Sequence, residues 1–404
     1  MLMQNKAILY FQSGGPTPVI NTSFYGVIRE YQKHKDVFSH LYASHYGVEG
    51  LIEGDLFDID KEEDSQIELL KQTPGQILGS SRKKLPSFDD PLFQRILNTI
   101  EKYNIGYILT NGGNDSMDTC KRLHDYFVEQ KMDVKVLGIP KTVDNDLMIT
   151  DHSLGYPSAA RHIMDSAVMA KLDLMNYRKG KVLIMEIMGR DSGWLTASTA
   201  LLPKDVRPDY IYLPEMEWDE EEFLKEIEEI YKKQHYVLIA LSEGAPLKAN
   251  NSIQMDSFGH VSYDGSAYTA AKLISDKLSL STRVICDSTL QRSDATKITK
   301  VDSLEAIEAS SFAVLSLLKG ESGKMVAIHR LSSSPYQSEP ILVSLEEVAN
   351  YAKKIPASYL KNHQEMSDEF VTYLSPLVQE TIPVIRENGN LLFARFHFQK
   401  PEIA

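Results

Sequence analysis

Three aspartates, a lysine and a threonine stand close together in the segment IPKTVDNDLMITDHSLGY, residues 139–156. The segment begins at the end of VKVLGI, an apolar run that is typical of a β-strand. Such a cluster is either a solvated turn or a place where a reaction needs charge. A carboxylate at the end of a strand can accept the proton of an attacking hydroxyl group, so the segment is a candidate for acid–base chemistry.

A glycine pair follows another apolar run, AILYFQ, in the stretch SGGPTPVIN. Gly14 and Gly15 permit backbone conformations and close approaches that side chains with a Cβ resist. Thr17 is predicted to cap a helix that begins at Pro18, so that unpaired amides face whatever sits over the loop. This arrangement suits a phosphate, although an ordinary tight turn explains the glycines equally well when they are taken alone.

A second glycine pair, Gly112 and Gly113, follows the run IGYILT in TNGGNDSMDT. Asn114, Asp115 and Ser116 offer oxygens at the start of the next predicted helix. Taken alone, Asp115 or Ser116 could simply cap that helix, whose predicted buried face is Met117, Cys120, Leu123 and Phe127. Together with the aspartate segment, however, the two turns supply a phosphate cradle, oxygens for magnesium and a base.

The elements that must position these residues repeat in the order strand, loop, helix. Apolar runs also occur later in the chain, as KVLIMEIM, DYIYLP, YVLIAL and TRVICDS. Helices are predicted near residues 18–32, up to about residue 129 and over EEEFLKEIEEIYKK, where Leu224, Ile227 and Tyr231 form one apolar stripe. The pattern predicts an α/β fold whose parallel sheets bind ligands at the carboxyl ends of their strands. Residues 247–266 are predicted to form a loop or a small hairpin.

Composition limits the possible functions. The 404 residues are 43% hydrophobic and carry a formal charge of −13, which argues against nucleic acid and anionic membranes as partners. Two cysteines, Cys120 and Cys286, cannot form a disulfide framework and indicate a reducing compartment. The first fifteen residues lack an apolar signal region, and no run of eighteen apolar residues occurs, so a cytoplasmic protein is expected.

Seven motifs in this order resemble the phosphofructokinase family, namely GGPTPVIN, GQILGSSR, GGNDS, PKTVDND, MGRDSGWL, SEGA and LQR. The resemblance spans roughly residues 7–330. It implies two doubly wound, Rossmann-like domains with largely parallel sheets and a site in the cleft between them. Residues 1–155, rejoined by about 293–330, would bind the phosphoryl donor; residues 156–292 would bind a sugar phosphate, and residues 331–404 would pack on both domains.

The implied reaction is transfer of a phosphoryl group to the 1-hydroxyl of fructose 6-phosphate. By resemblance Asp144 is the base, and Asp146 holds it electrostatically or contributes to the metal site; a turn-stabilising contact is the alternative for Asp146. Arg82 and Arg190 would neutralise charge on the transferred oxygens, unless they are ordinary surface arginines. Glu243 resembles a ligand of sugar hydroxyls and Arg292 a ligand of the 6-phosphate. The remaining residues assigned to substrate binding by resemblance are Gly14, Gly15, Thr142, Val143, Met188 and Gly189.

Two positions depart from the family pattern. Lys181 stands where an arginine is frequent, which keeps the charge but loses bidentate geometry. Thr289 stands where a histidine or tyrosine is usual, so its predicted role in substrate binding is weak. In this family Lys181 and Arg283 would reach into a neighbouring subunit's site, and a homodimer or homotetramer is therefore expected.

The phosphoryl donor is predicted from two further positions. Family members that use ATP carry glycine at the positions of Asp115 and Lys141, which leaves room for the nucleotide α-phosphate. Here the carboxylate of Asp115 would repel that phosphate, while Lys141 would stabilise the phosphate leaving from inorganic pyrophosphate. Both residues resemble the pyrophosphate-dependent branch. Asn114 replaces a frequent acidic residue, so Mg²⁺ would rely on Asp115, with Asn114 and the pyrophosphate itself as further ligands.

Three rival functions remain open. An ATP-dependent 6-phosphofructokinase is disfavoured by residues 115 and 141. A non-catalytic regulatory subunit of the family would be expected to lose the base, and Asp144 is present. A nucleotide-binding module of the doubly wound type would need a P-loop or G-x-G-x-x-G fingerprint, which neither glycine pair matches.

Overall fold

The computed structural model describes residues 5–247, 254–255, 261–262 and 265–402, which form an α/β fold with two main sheets. The strands are β1 (Lys6–Gln12), β2 (Phe38–Ser44), β3 (Leu56–Asp58), β4 (Ile105–Gly112), β5 (Lys135–Pro140), β6 (Val182–Ile187), β7 (Tyr210–Tyr212), β8 (Val237–Ser242), β9 (Gln254–Met255), β10 (Val261–Ser262), β11 (Thr282–Cys286), β12 (Lys324–Ser333), β13 (Tyr336–Ser344), β14 (Leu360–Asn362), β15 (Glu365–Met366), β16 (Arg386–Glu387) and β17 (Asn390–Leu391). The helices are α1 (Ile20–Lys33), α2 (Val48–Glu53), α3 (Asp64–Leu69), α4 (Pro91–Lys102), α5 (Asn114–Glu129), α6 (Tyr156–Leu174), α7 (Trp194–Ala197), α8 (Glu220–Gln234), α9 (Ser266–Leu278), α10 (Lys300–Leu318), α11 (Leu345–Val348) and α12 (Asp368–Leu374).

The larger sheet has seven strands in the order β13-β12-β5-β4-β1-β2-β3. Its pairs are parallel except for β12 with β13 and β2 with β3. Gln12 of β1 pairs with Asn111 of β4, and Gly112 of β4 pairs with Pro140 of β5. This register brings the loops that follow the three strands, and with them the two glycine pairs and the aspartate segment, to one edge of the sheet.

The smaller sheet contains four parallel strands in the order β11-β6-β8-β7. Ile187 at the end of β6 pairs with Ser242 at the end of β8, so the MGRDSG and SEGA motifs begin side by side. Both predicted features of the fold, the alternation of strands with helices and the largely parallel sheets, are confirmed. The domain boundaries at residues 155, 292 and 330 stay predictions.

Alternate residues of each central strand fill cores on opposite faces of the larger sheet. In β1, Ile8 and Tyr10 pack on the face covered by α1 and α10, whereas Leu9 and Phe11 pack on the face with α4 and α5. Burying each such side chain contributes about 1.5–3 kcal/mol relative to leaving it exposed. Apolar contacts on both faces of the larger sheet therefore fix the positions of the strand ends and of the loops attached to them.

Three local predictions have different outcomes. The stripe of α8 is confirmed, because Ile227 is buried and Leu224 and Tyr231 pack against the same core. The predicted cap of the first helix is wrong: the helix begins at Ile20, two residues later, and Thr17 instead packs against Gly155 with its hydroxyl buried. Within residues 247–266, the antiparallel pair of β9 and β10 is a small hairpin, and residues 248–253, 256–260 and 263–264 lie outside the described residues.

The chain returns to the larger sheet at its C-terminal end. After β12 and β13 extend that sheet, residues 385–399 bond to the segment 62–73 and reach the opposite edge of the sheet, where the Asp58 amide donates to the Gln399 carbonyl at 2.9 Å. Phe396 and Phe398 join the core beside α1 and β3. No helix in the described part of the chain combines the length and apolar character needed to cross a bilayer.

Candidate active site

A cleft of about 620 Å³ lies where the carboxyl ends of the two main sheets face each other. From the larger sheet it is lined by the loops after β1, β4 and β5, and from the smaller sheet by the loops after β6, β8 and β11. The predicted site residues that line it are Gly14, Gly15, Arg82, Asn114, Asp115, Lys141, Thr142, Val143, Asp144, Asp146, Met188, Arg190, Glu243 and Arg292. Gly189 follows Met188 at its margin, whereas Thr289, Lys181 and Arg283 lie outside the lining.

The first glycine pair is in direct contact with Lys141. Gly14 has a φ of +77°, and a Cβ there would lie 3.2 Å from the Lys141 Nζ. The same Nζ donates to the Gly15 carbonyl at 2.5 Å. Burial lowers the pKa of Lys141 to about 7 although the charge of Asp144 opposes this shift. The ammonium group is thus held at the floor of the cleft, where binding an anion would favour its charged form.

The second glycine pair leads into the 16-residue helix α5. Gly113 is its N-cap and no side chain caps it, so neither Asp115 nor Ser116 acts as a simple helix cap. Met117, Cys120, Leu123 and Phe127 are all buried, as predicted. The open amides and positive end of a helix this long favour a bound anion, and they face the cleft that Asn114, Asp115 and Ser116 line.

The aspartate segment is a rigid turn. Thr142 Oγ1 accepts a hydrogen bond from the Asp144 amide at 3.2 Å. Asn145 is buried with a φ of +54°, its Oδ1 accepts from the Ser153 amide at 2.9 Å, and its Nδ2 donates to the Tyr373 hydroxyl at 3.1 Å. Asn145 therefore faces the interior, while the residues on either side of it, Asp144 and Asp146, face the cleft.

The two cleft-facing carboxyl groups have raised pKa values. Burial raises the pKa of Asp144 to about 7, and the charges of Asp146 and Glu243 add to this effect against those of Arg190 and Lys141. Burial also raises the pKa of Asp146, whose Oδ1 is buried without a hydrogen-bond partner in the described part of the chain. A carboxyl with a pKa near 7 suits a general base, and an unpartnered buried carboxylate oxygen fits a hard cation such as Mg²⁺.

Residues from the smaller sheet close the other side of the cleft. The Gly189 amide donates to Glu243 Oε1 at 3.4 Å, and Arg190 contacts Asp191 at 3.2 Å. Arg292 reaches across to the first glycine loop, where a Cβ on Gly15 would lie 2.9 Å from its Nη1. Its Nε is buried with no hydrogen-bond partner among the described residues, and Arg292 lines the cleft.

Two predicted residues lie at the wrong end of the smaller sheet to serve this cleft. Lys181 directly precedes β6, and Arg283 is the second residue of β11, so both stand at the amino ends of their strands. The six residues of β6 span about 20 Å at roughly 3.3 Å per residue. Lys181 and Arg283 therefore cannot contact a ligand between Met188 and Asp144 of the same chain.

Sequence reasoning missed several residues of the cleft. Lys83 and Lys84 line it beside Arg82, and a run of three basic residues in an acidic chain was a usable signal. Asn350 and Ala352 also line it, although nothing in their local sequence indicates a site.

His162 of α6 was also missed. It lies between two carboxylates, with its Nε2 3.2 Å from Asp287 and its Nδ1 2.8 Å from Asp294. These carboxylates flank the short 3₁₀ turn Ser288–Arg292, which carries Arg292. His162 therefore fixes both ends of that turn without lining the cleft itself.

Glycine loops, a buried lysine, arginines and paired aspartates thus face one another across a cleft between two parallel sheets. The fold and the site together define an α/β protein whose cleft is built to bind anions and to move a proton. Comparison with known proteins narrows this class to a family. A family model described as Phosphofructokinase matches residues 7–316, and the chain belongs to the phosphofructokinase family.

Individual relatives cover nearly the whole chain. A Halomonas elongata protein named pyrophosphate–fructose 6-phosphate 1-phosphotransferase is 35% identical over 96% of this chain and 95% of its own length. A protein of the same name from Xanthomonas campestris pv. campestris is 34% identical over 95% of this chain and 94% of its own. The crystal structure of a pyrophosphate-dependent phosphofructokinase from Nitrosospira multiformis is 30% identical, covers 98% of both chains and superposes with a TM-score of 0.89.

Proposed function

We propose that the protein transfers a phosphoryl group from inorganic pyrophosphate to the 1-hydroxyl of fructose 6-phosphate, in a reaction that requires Mg²⁺. The observation that carries this proposal is the buried Lys141 ammonium held against the first glycine loop, in a cleft that also contains Asp144 and Asp115. The names of the relatives at 34–35% identity support the same donor and acceptor.

Different residues of the cleft have different roles in the proposed reaction. Asp144 accepts the proton as the sugar O1 forms its bond to phosphorus, and the bond from phosphorus to the bridging oxygen of pyrophosphate breaks. The electron pair of that bond remains on the leaving phosphate, whose charge Lys141 stabilises. Arg190 and Arg82 neutralise the oxygens of the transferred group.

Mg²⁺, when bound, would offset the negative charge of the phosphates and hold the donor in line with the hydroxyl. Asp146 and Asp115 are the residues that would hold it, since both line the cleft and Asp146 has an unpartnered oxygen there. Asn114 is a weaker candidate than predicted, because its amide is bonded to the backbone of Asn350 and Tyr351.

Sugar binding is assigned to the side of the cleft formed by the smaller sheet. Glu243 lines the cleft beside Gly189 and suits sugar hydroxyls, while the guanidinium group of Arg292, which also lines the cleft, suits the 6-phosphate. A coupled assay with fructose 6-phosphate and either pyrophosphate or ATP tests the proposal directly. We expect turnover with pyrophosphate; turnover with ATP alone would favour the ATP-dependent alternative, and no turnover with either donor would favour the regulatory subunit.

The position of His162 leads to a prediction about sugar binding. Burial would lower its pKa, but the hydrogen bonds and charges of Asp287 and Asp294 outweigh this and raise it to about 9. Charged His162 stabilises the turn that carries Arg292. This contribution is fully present below the ordinary histidine pKa of about 6.5, and it is lost as the pH rises through about 9. His162→Gln should raise KM for fructose 6-phosphate up to about tenfold at pH 7 and leave kcat nearly unchanged.

The matched control for this prediction is His329→Gln, which changes an exposed histidine of β12. It should leave both constants unchanged. KM of the wild type should rise toward that of the His162 variant above pH 9. A fall in kcat with KM unchanged would contradict a positioning role for His162.

We also propose a homo-oligomer, with a dimer as its smallest form, in a cytoplasmic setting. Lys181 and Arg283 stand toward the amino ends of their strands, away from their own cleft, and exposed apolar side chains lie on and after α6, namely Met169, Leu172, Met175 and Tyr177, whose ring centroid is 5.9 Å from the Lys181 Nζ. Such a patch favours burial against a second copy, which would bring the two basic residues to a neighbouring cleft. Neither Cys120 nor Cys286 is in a disulfide, which is consistent with a reducing compartment.

Subunit mixing tests the assembly. Asp144→Asn and Arg283→Ala chains should each be inactive alone, the first through loss of its base and the second through loss of its neighbour's phosphate ligand. Half of the dimers in an equal mixture contain one chain of each kind, and each of these has one intact site out of two. We expect about a quarter of wild-type activity after subunit exchange. Mixtures that exchange subunits and yet stay inactive would rule out a shared site.

A further inference from the structure

A segment of seven residues, 349–355, connects α11 to the C-terminal part of the chain and crosses the cleft. We refer to it as the strap. It bonds to α5 at one end and to the aspartate segment in its middle, and the Ile355 amide donates to Glu215 at 3.2 Å. The strap therefore touches elements on both sides of the cleft.

The first half of the strap lies over the first turn of α5. The Asn350 amide donates to Asn114 Oδ1 at 2.7 Å, and Asn114 Nδ2 donates to the Tyr351 carbonyl. The Asn350 side chain donates to Asp118 at 3.0 Å. Asn350 has a φ of +68°, a conformation that asparagine tolerates better than most residues. Three hydrogen bonds thus fasten the strap beside Asp115.

The second half is fastened to the catalytic turn through Lys353. Its amide donates to the Asp146 carbonyl at 2.7 Å, and its Nζ donates to the carbonyls of Thr150 and Asp151 at 3.0 Å each. Its carbonyl accepts from the Trp194 ring nitrogen at 3.3 Å. These bonds fix the middle of the strap to the segment that carries both candidate catalytic carboxylates.

We propose that the strap is a specificity-determining wall, which weakens binding at the donor end of the cleft of any phosphoryl donor that carries a nucleoside. This inference rests on the proposed function, since it concerns the choice of donor. Next to Asp115, the cleft is lined by Thr119, one turn further along α5, and by Asn350 and Ala352 of the strap. A nucleoside joined to the phosphate nearest Asp115 would have to be accommodated beside these residues, whereas inorganic pyrophosphate carries no such group.

The wall acts in addition to the charge of Asp115. Asp115 repels a further phosphate, but a carboxylate alone does not limit the size of a group attached beyond that phosphate. The strap supplies this limit, because its position is set by hydrogen bonds to Asn114 and Asp118 rather than by packing alone. Removing the charge without loosening the strap should therefore admit a longer polyphosphate more readily than a nucleotide.

Equilibrium binding separates the two effects. The probes are imidodiphosphate, inorganic tripolyphosphate and adenosine 5′-(β,γ-imido)triphosphate, each measured calorimetrically with Mg²⁺. In Asp115→Gly we expect tripolyphosphate to bind more tightly than in the wild type while the nucleotide gains less. Adding Asn350→Gly, which keeps the positive φ but loses the bond to Asp118, should tighten nucleotide binding a further tenfold or so. Tripolyphosphate binding should not change in this second step.

Two controls accompany this series. Asp118→Asn in the Asp115→Gly background removes a charge but keeps an acceptor for Asn350, so it should leave the ratio of nucleotide to tripolyphosphate affinity unchanged. Glu347→Gln, on the exposed face of α11, should also leave that ratio unchanged. The ratio within one protein does not depend on its folded fraction.

This experiment distinguishes failure of the inference about the strap from failure of the proposed function. If Asn350→Gly changes nucleotide and tripolyphosphate binding equally, or changes neither, the strap is not a wall. Wild-type turnover with pyrophosphate is measured separately. If the wild type turns over pyrophosphate but Asn350→Gly leaves the ratio of nucleotide to tripolyphosphate affinity unchanged, the proposed function stands and the inference about the strap is wrong.

Discussion

Replacing Asp144 with asparagine is expected to lower kcat by roughly 10²-fold or more, the usual scale for removal of a general base. Asparagine has almost the same size and keeps the hydrogen bonds that the backbone amide and carbonyl of residue 144 make with Thr142 and Ser192, but it cannot take a proton from the sugar hydroxyl. Affinity for fructose 6-phosphate should stay within a few-fold, because Arg292 and Glu243 are unchanged. Steady-state kinetics with both substrates measure the two effects.

The pH dependence of the wild type provides the control. Burial and the neighbouring carboxylates raise the pKa of Asp144 to about 7, so the base is ionised only as the pH rises through this value. The kcat/KM of the wild type should therefore rise as the pH increases through about 7, and the residual kcat/KM of the Asp144→Asn variant should lack that rise. A variant that keeps wild-type kcat would remove Asp144 from this role.

Replacing Lys141 with glycine is expected to cut the pyrophosphate-dependent kcat by about 10²–10³, or roughly 2.7–4 kcal/mol, the cost of removing one electrostatic donor to a transition state. The ammonium group is held against the Gly15 carbonyl, where it can meet the charge that develops on the leaving phosphate. Because that charge is larger in the transition state than in the bound substrate, kcat should fall by a larger factor than KM rises.

Asp115 and Lys141, the two residues assigned to the choice of phosphoryl donor, should give different effects when each is replaced by glycine. Asp115→Gly alone should admit ATP weakly, since it removes charge and bulk but adds no favourable contact. The double variant should show measurable ATP use with weak pyrophosphate use. Kinetics with both donors on the wild type, the two single variants and the double variant test this, and equal wild-type turnover with ATP and pyrophosphate would overturn the donor assignment.

The central strands were predicted correctly because their formation depends mainly on local sequence. The runs AILYFQ, IGYILT and VKVLGI became β1, β4 and β5, because continuous apolar runs of this length suit strands buried on both faces. Once these strands are parallel neighbours, their loops must meet at one edge. This explains why residues as far apart as Gly14 and Asp146 could be assigned to one cleft from the sequence alone.

The features that sequence did not predict depend on contacts between distant residues. Thr17 has the composition of an N-cap, but its environment is set by Gly155, more than a hundred residues away. Asn350 acquires a role only because α11 packs beside α5 and brings the strap to Asn114. His162 looks like one polar residue of a long helix until Asp287 and Asp294 are folded against it. No periodicity or local motif encodes such pairings.

The return of residues 385–399 to the larger sheet has a consequence for biosynthesis. Phe396 and Phe398 pack against Phe24 and Phe57, with ring centroids 6.3 and 4.7 Å apart, although hundreds of residues separate them along the chain. At roughly 5–20 residues per second, the ribosome needs on the order of 10–50 s to travel from the end of β5 to these phenylalanines. During that interval the apolar surface around Phe24 and Phe57 lacks these two phenylalanines, so folding is expected to require that this surface does not aggregate before translation of the last residues is complete.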